Sequence, residues 1–175
     1  MLPQADIERY GGKAAILNYV RDKLPDMPIK PYVVKAHDAT IDSVVSDFDA
    51  MKKPVIVRST SPHEYGDFEG IFDSVKDVYD VHDLRHAVEK VKESAVSDRA
   101  KLYAKQRKME IDGSISVMVQ EQSDSQYLGA MMRHPNNPDL ILIGYHDNAG
   151  KYKNEYSRQF LMRKHKHFWN IIVFF

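Results

Sequence analysis

From Pro54 to Glu64 the chain reads PVIVRSTSPHE, and from Phe68 to Ser74 it reads FEGIFDS. The run Val55–Arg58 is too short and too β-branched for a helix, so it reads as a buried strand. It ends in Arg58 and three hydroxyl residues, Ser59, Thr60 and Ser61, followed by Pro62, the carboxylate of Glu64 and a loop containing Gly70. A strand that ends this way delivers a cation and hydrogen-bond donors to a sheet edge, where an anionic ligand such as a polyphosphate can sit. Near the start, Gly11-Gly12-Lys13 places a lysine behind two glycines at what reads as the mouth of a helix. Two basic residues, each at the end of an element, point to a nucleotide site.

Around these segments the pattern is helices first and strands later. Ile16, Leu17, Val20 and Leu24 share one face of a helix over 14–24, which Pro25 stops. Tyr32–Val34 is a short strand. Thr40 caps a second helix carrying Ile41, Val44, Val45, Phe48 and Met51 at helical spacing. Ile71–Val78 reads as a strand. Asp80 opens the longest helix, with Asp83 in its first turn and a stripe of Leu84, Val88, Val91, Ala95, Leu102 and Met109, interrupted at Asp98 and Arg99. Residues 114–121 alternate Ile115, Val117 and Val119 with Ser116, Met118 and Gln120, as a strand does. Strands over 127–134 and 140–143 are joined by the turn Pro135-Asn-Asn-Pro138. The tail passes from the basic stretch Arg163–His167 to the apolar Ile171–Phe175, which is expected to pack onto the sheet or to mediate self-association. The fold class is therefore α+β, a mixed or antiparallel sheet with helices on one side.

The totals narrow the function. A chain of 175 residues with 43% hydrophobic and 29% charged residues has a core and fits one domain, with possible subdomains over 1–110 and 111–175. Lysine plus arginine and aspartate plus glutamate balance at 25 each, so nucleic acid and anionic membrane are not expected partners. There are no cysteines, which excludes disulfides and thiolate metal sites. No apolar stretch reaches the ~18 residues of a membrane span, so a cytoplasmic location is the expectation. His82 and His86 are an i, i+4 pair formally able to hold a metal, but with no third ligand they read as a solvated helix face.

In order along the chain, GGKAAILNYV, PIKPYVV, KPVIVRSTSPHEYGDFEGIFDSV, ISVMVQEQ and GAMMRHPNNPD resemble the nucleotide-binding domain of phosphoenolpyruvate synthase and pyruvate phosphate dikinase, shared by the rifampin phosphotransferases. The resemblance covers about residues 11–139. It implies an ATP-grasp-like fold in which two subdomains clamp ATP. It also implies a phosphoryl or pyrophosphoryl transfer to a histidine on a separate swivelling domain. ATP and Mg²⁺ are the implied cofactors, and a phosphohistidine-carrying chain is the implied partner.

Carried over residue by residue, the resemblance makes Lys13 and Arg58 the catalytic cations at the nucleotide phosphates, a point charge and a planar fork. The bland alternatives are a solvated lysine, and an arginine paired structurally with Glu64, Asp67 or Glu69. Ser59 and Thr60 either donate to phosphate or satisfy a turn. Glu64 is expected to orient Arg58. Gly70 falls in the phosphate-covering loop, and Gln120 and Glu121 fall in the adenine-binding segment, where backbone groups read the base edge. Met118 is expected to pack the core rather than to stack on adenine.

Departures from the family pattern bear on the metal. Gly144 stands where a magnesium-binding acid is expected, with Asp139, Asp147 and Glu155 as substitutes. The chain also reads as a truncated domain, without the phosphohistidine and pyruvate-binding domains. Two functions follow: an ATP-binding phosphotransferase subunit working with a separate acceptor, or a non-catalytic nucleotide sensor or interaction scaffold that keeps the fold.

Overall fold

The computed structural model describes residues 4–62, 64, 70–111, 115–124, 127–133, 136, 137, 139–147 and 158–163. The elements run α1 (Gln4–Tyr10), α2 (Gly12–Lys23), β1 (Tyr32–Lys35), α3 (Ile41–Asp49), β2 (Val55–Thr60), β3 (Ser74–Val78), α4 (Val81–Glu93), a 3-10 turn (Ser94–Val96), α5 (Asp98–Arg107), β4 (Ser116–Glu121), β5 (Tyr127–Arg133), β6 (Leu140–Asp147) and β7 (Arg158–Arg163). They divide into two compact units, Met1–Gln122 and Ser123–Phe175.

In the first unit a four-stranded sheet has the order β1-β4-β2-β3, antiparallel at every pairing. Because strand side chains alternate between faces, the register sorts this sheet into two surfaces. Val33, Val119, Val57 and Val75 form one row on the first face. There they pack with Val44 and Phe48 of α3 and Leu84, Val88 and Val91 of α4. Leu84 is fully buried, and Leu84→Ala would cost about 2–5 kcal/mol through the cavity left behind. The second face carries Arg58 opposite Met118, and Ile56 opposite Gln120. Met118 is fully buried yet stands outside the core cluster.

Both caps read from the sequence are present. The Thr40 side chain accepts from the Ser43 amide, and the Asp80 carboxylate accepts from the Asp83 amide at 2.8 Å. At the other end of α3 the Lys53 ammonium donates to the Phe48 carbonyl and to that of Met51 just beyond the helix. The Lys53-Pro54 bond that leads into β2 is cis.

Two elements differ from expectation. The long helix ends at Glu93, and the chain makes a 3-10 turn before Ser97 caps a separate α5. The apolar stripe does not continue as one face, since Leu102 is 58% exposed. The break has a local cause: Ser97 Oγ donates to the Ser94 carbonyl and accepts from the Ala100 amide, hydrogen bonds that compete with a continuous helix. The strand expected over 71–78 begins only at Ser74. Ile71 and Phe72 are consecutive and both buried, which an alternating strand with one core face does not allow.

β3 also carries an irregularity. Val55 pairs with Val78 but Val57 with Val75, so β3 has one residue more than β2 across this stretch. Asp77 takes the left-handed conformation there. Its amide donates to Gln122 Oε1, and Gln122 Nε2 donates back to Asp77 Oδ1.

The second unit is an antiparallel meander in the order β5-β6-β7. The strands expected over 127–134 and 140–143 are present, the second extending through Gly144 to Asp147. In the turn between them Asn137 accepts from the Asp139 amide through its side chain and from the Leu140 amide through its carbonyl. β7 is an element that the sequence pattern did not disclose. The apolar tail 171–175, His165, His167, Glu155 and the loop 65–69 with Asp67 and Glu69 lie outside the described residues.

Candidate functional site

The start of α2 is fastened to the end of β2. The Gly12 amide donates to the Ser61 carbonyl, the Ala14 amide to Thr60 Oγ1, and Thr60 Oγ1 to the Tyr10 carbonyl at 2.7 Å. Thr60 and Ser61 are buried in this joint. The glycine pair explains how helix and strand come so close. Gly11 sits at φ 79°, ψ 163°, a region essentially restricted to glycine. A Cβ there would collide with the Ser61 nitrogen and with the carbonyl carbon and Oγ1 of Thr60. The amides of Gly11, Gly12 and Ala14 all have protein acceptors. The glycines therefore serve packing, and the helix start does not hold these amides open for an anion.

This joint carries Lys13 onto β2. Its Nζ lies 2.7 Å from Glu64 Oε2 and 3.2 Å from Ser59 Oγ. Ser59 Oγ in turn donates to the same Glu64 oxygen at 2.8 Å. The Glu64 side chain is fully buried, whereas that of Lys13 keeps 22% of its surface exposed. Glu64 was expected to orient Arg58; its partners are Lys13 and Ser59. The reason is strand geometry: Arg58 and Ser59 are consecutive in β2 and point to opposite faces, and α2 docks so that its lysine reaches the Ser59 side. Arg58 is half-buried on the other face, in register with Met118 and Ser74.

Thr60 and Ser59 both have structural partners, Thr60 in the helix joint and Ser59 in the Lys13–Glu64 pair. Gly70 has φ +76°, and a Cβ there would meet nothing within 4 Å, so only backbone conformation calls for glycine. Immediately after it the chain is tied down by residues that sequence reasoning missed. Ser94 Oγ accepts from the Asp73 amide, and Arg99 donates to the Ile71 carbonyl and to Asp73 Oδ1. Their one visible signal is the cluster of serines that breaks the helix.

Gln120 and Glu121 lie toward the other end of β2, opposite Ile56 and Val55. From Val55 to Ser59 is four residues, about 13 Å of strand. β4 is flanked on both sides, so its backbone groups belong to the ladders; the Glu121 amide donates to the Pro31 carbonyl and the Gln122 amide to that of Pro54. The side chains are engaged as well, Glu121 Oε1 with the Lys52 amide and Gln120 Nε2 with the Lys30 carbonyl.

The register also bears on magnesium. Gly144 is mid-strand, opposite Ala130 and Gln159, so its row brings no carboxylate. Asp147 ends β6, three residues beyond Gly144, and Asp139 precedes the strand. Among the described residues no group of three or more histidine, aspartate or glutamate side chains is placed to hold a metal ion. Among the described residues the magnesium ligands implied by the resemblance are therefore not assembled, and Glu155 lies outside them. His82 and His86 are exposed on α4 and meet edge to face, 4.6 Å between ring centroids.

No curated protein matches the chain. Among solved structures, a coenzyme A complex of a Ca. Korarchaeum cryptofilum protein matches at TM-score 0.48 and 14% identity, over 76% of this chain and 51% of that one. The dinucleotide-forming acetyl-coenzyme A synthetase 1 of the same organism, with a phosphorylated phosphohistidine segment, matches at 0.44 and 14% over 79% and 51%. A Pyrococcus horikoshii Ot3 protein matches at 0.47 and 15% over 78% and 51%. The chain spans about half the length of each. Residues 5–143 match the pyruvate phosphate dikinase AMP/ATP-binding domain. The α+β fold expected for that domain is the one described above, and the chain belongs to the pyruvate phosphate dikinase AMP/ATP-binding domain family.

Proposed function

We propose that this chain binds ATP through Lys13 and Arg58 and supplies the nucleotide-handling part of a phosphoryl transfer to an acceptor on a separate domain or chain. The observation that carries this reading is the fastening of α2 to the end of β2. It places the Lys13 ammonium 3.2 Å from Ser59, the residue next to Arg58. The two cations stand at one strand end but on opposite faces of β2, Lys13 on the Ser59 side and Arg58 on the Met118 side. Each suits phosphate differently: Lys13 as a compact charge on a flexible stem, Arg58 as a planar fork that binds two oxygens. The Ser59 and Thr60 hydroxyls and the Lys13 ammonium all have partners within the protein, so a phosphate would share Lys13 with Glu64. The base lies toward Gln120 and Glu121, some 13 Å along the strand. It meets their end of the sheet without using ladder amides.

Phosphoryl transfer in such sites works by positioning and charge stabilisation, with little covalent chemistry left to the protein. Lys13 and Arg58 would hold and neutralise phosphate oxygens. No step is assigned to magnesium; Gly144 stands where the resemblance implies an acid. That departure favours the second reading, a nucleotide sensor or scaffold without turnover. Two measurements on the purified chain test and separate these readings. Millimolar ATP should raise the melting temperature, as any ligand selective for the native state must. Phosphate release with Mg²⁺ present then marks the phosphotransferase reading, and binding without release marks the sensor. No shift in melting would refute both.

A further inference from the structure

We propose that Glu64 is the positioning residue for Lys13: a buried carboxylate that fixes where the ammonium stands when phosphate arrives. This rests on the nucleotide reading above and adds a residue that acts through another rather than on the ligand. Three observations carry it.

First, the contacts converge on one atom. Lys13 Nζ and Ser59 Oγ both donate to Glu64 Oε2, while Glu64 Oε1 is buried with no hydrogen-bond partner. A carboxylate that merely satisfied its surroundings would spread donors over both oxygens. Leaving one bare in the interior is unfavourable, so such an arrangement calls for an explanation. Second, the pair is not needed as a tether. The start of α2 is already held to β2 by the Gly12 amide on the Ser61 carbonyl, the Ala14 amide on Thr60 Oγ1, and Thr60 Oγ1 on the Tyr10 carbonyl. Third, the pair is asymmetric in exposure: Glu64 has no exposed side-chain surface and Lys13 has 22%. The anion is sealed away from any ligand, and the cation reaches the surface. A lysine stem has four rotatable bonds, and fixing its tip in advance removes the entropy that phosphate binding would otherwise have to overcome.

The test is a double-mutant cycle on the full chain, read by calorimetry with ATP: wild type, Glu64→Gln, Lys13→Ala and the double variant. Glutamine keeps the shape but gives up the charge that holds the ammonium. Glu64→Gln is expected to weaken ATP binding about 5–10-fold in the otherwise natural chain and less than about twofold in the Lys13→Ala background. An equal change in both backgrounds, or none in either, overturns the assignment. Should Glu64→Gln fail to fold, Glu64→Asp, which keeps the charge but shortens the reach, takes its place with the same expectation. The ¹⁵N ammonium resonance of Lys13 in the absence of nucleotide is a second readout. It should be observable in the wild type and lost in the Glu64 variant, and its persistence there also overturns the proposal. Failure of the wild type to bind ATP refutes the nucleotide reading and the proposal with it, whereas intact binding without coupling refutes Glu64 alone.

Discussion

Gly11 and Thr60 approach so closely that no side chain fits at position 11: a Cβ would meet Thr60 Oγ1 and the backbone of residues 60 and 61. The glycine also holds φ 79°, ψ 163°, a conformation that costs other residues about 1–3 kcal/mol. Gly11→Ala should therefore combine backbone strain with displacement of α2 from β2. The expected loss is roughly 3 kcal/mol, or about 6–12 °C in melting temperature, and calorimetric melting measures it. A change within a degree would show that the joint is not built as described.

Arg58 separates chemistry from charge alone. If its fork holds two phosphate oxygens, Arg58→Ala should weaken ATP binding by about 1.5–3 kcal/mol, the range for hydrogen bonds to charged groups. Arg58→Lys should restore little of this, because an ammonium cannot make the planar bidentate contact. Titration calorimetry on the two variants checks the order: wild type tightest, lysine and alanine both weaker. Full recovery with lysine would mean that only charge matters at this position.

A pH dependence comes from Tyr32 on the β1 edge. Burial raises its phenol above the ordinary 10.0, with Arg21 pulling it down and Asp22 pushing it up. The hydroxyl donates to Asn18 Oδ1 at 2.6 Å, and the Arg21 guanidinium stands 5.4 Å from the ring centroid. A folded-state value above the unfolded one means that the native state holds its proton longer. The contribution is complete below pH 10 and is lost as pH rises through the folded value. Tyr32→Phe should thus lose stability less steeply than the wild type above pH 10 in urea titrations. Parallel curves would contradict the assignment.

How much of this was legible in the sequence depends on how local each cause is. β2, α3 and α4 could be read because pattern and signal lie together: a β-branched run, Thr40 before one helical period, Asp80 before another. The end of α4 was not, because Ala95 and Leu102 continue the apolar spacing while the cause of the break is a pair of serine hydroxyls. Around β2, Lys13, Arg58, Ser59 and Glu64 could be singled out, but the carboxylate was expected beside Arg58 and stands beside Lys13. Glu64 is six residues from Arg58 and 51 from Lys13, so spacing favoured the wrong partner. Which basic residue it meets is decided by the strand alternation at 58 and 59 and by where α2 docks. That docking depends in turn on Gly11, a long-range contact that sequence spacing does not reveal.

The central claim is that Lys13, brought onto β2 by this joint, holds nucleotide phosphate. Titration calorimetry of ATP into the wild type and Lys13→Ala tests it most directly. The account predicts binding by the wild type and a loss of about 1.5–3 kcal/mol, roughly 10–150-fold in affinity, in the variant. Equal affinities, or no binding by the wild type, would contradict it.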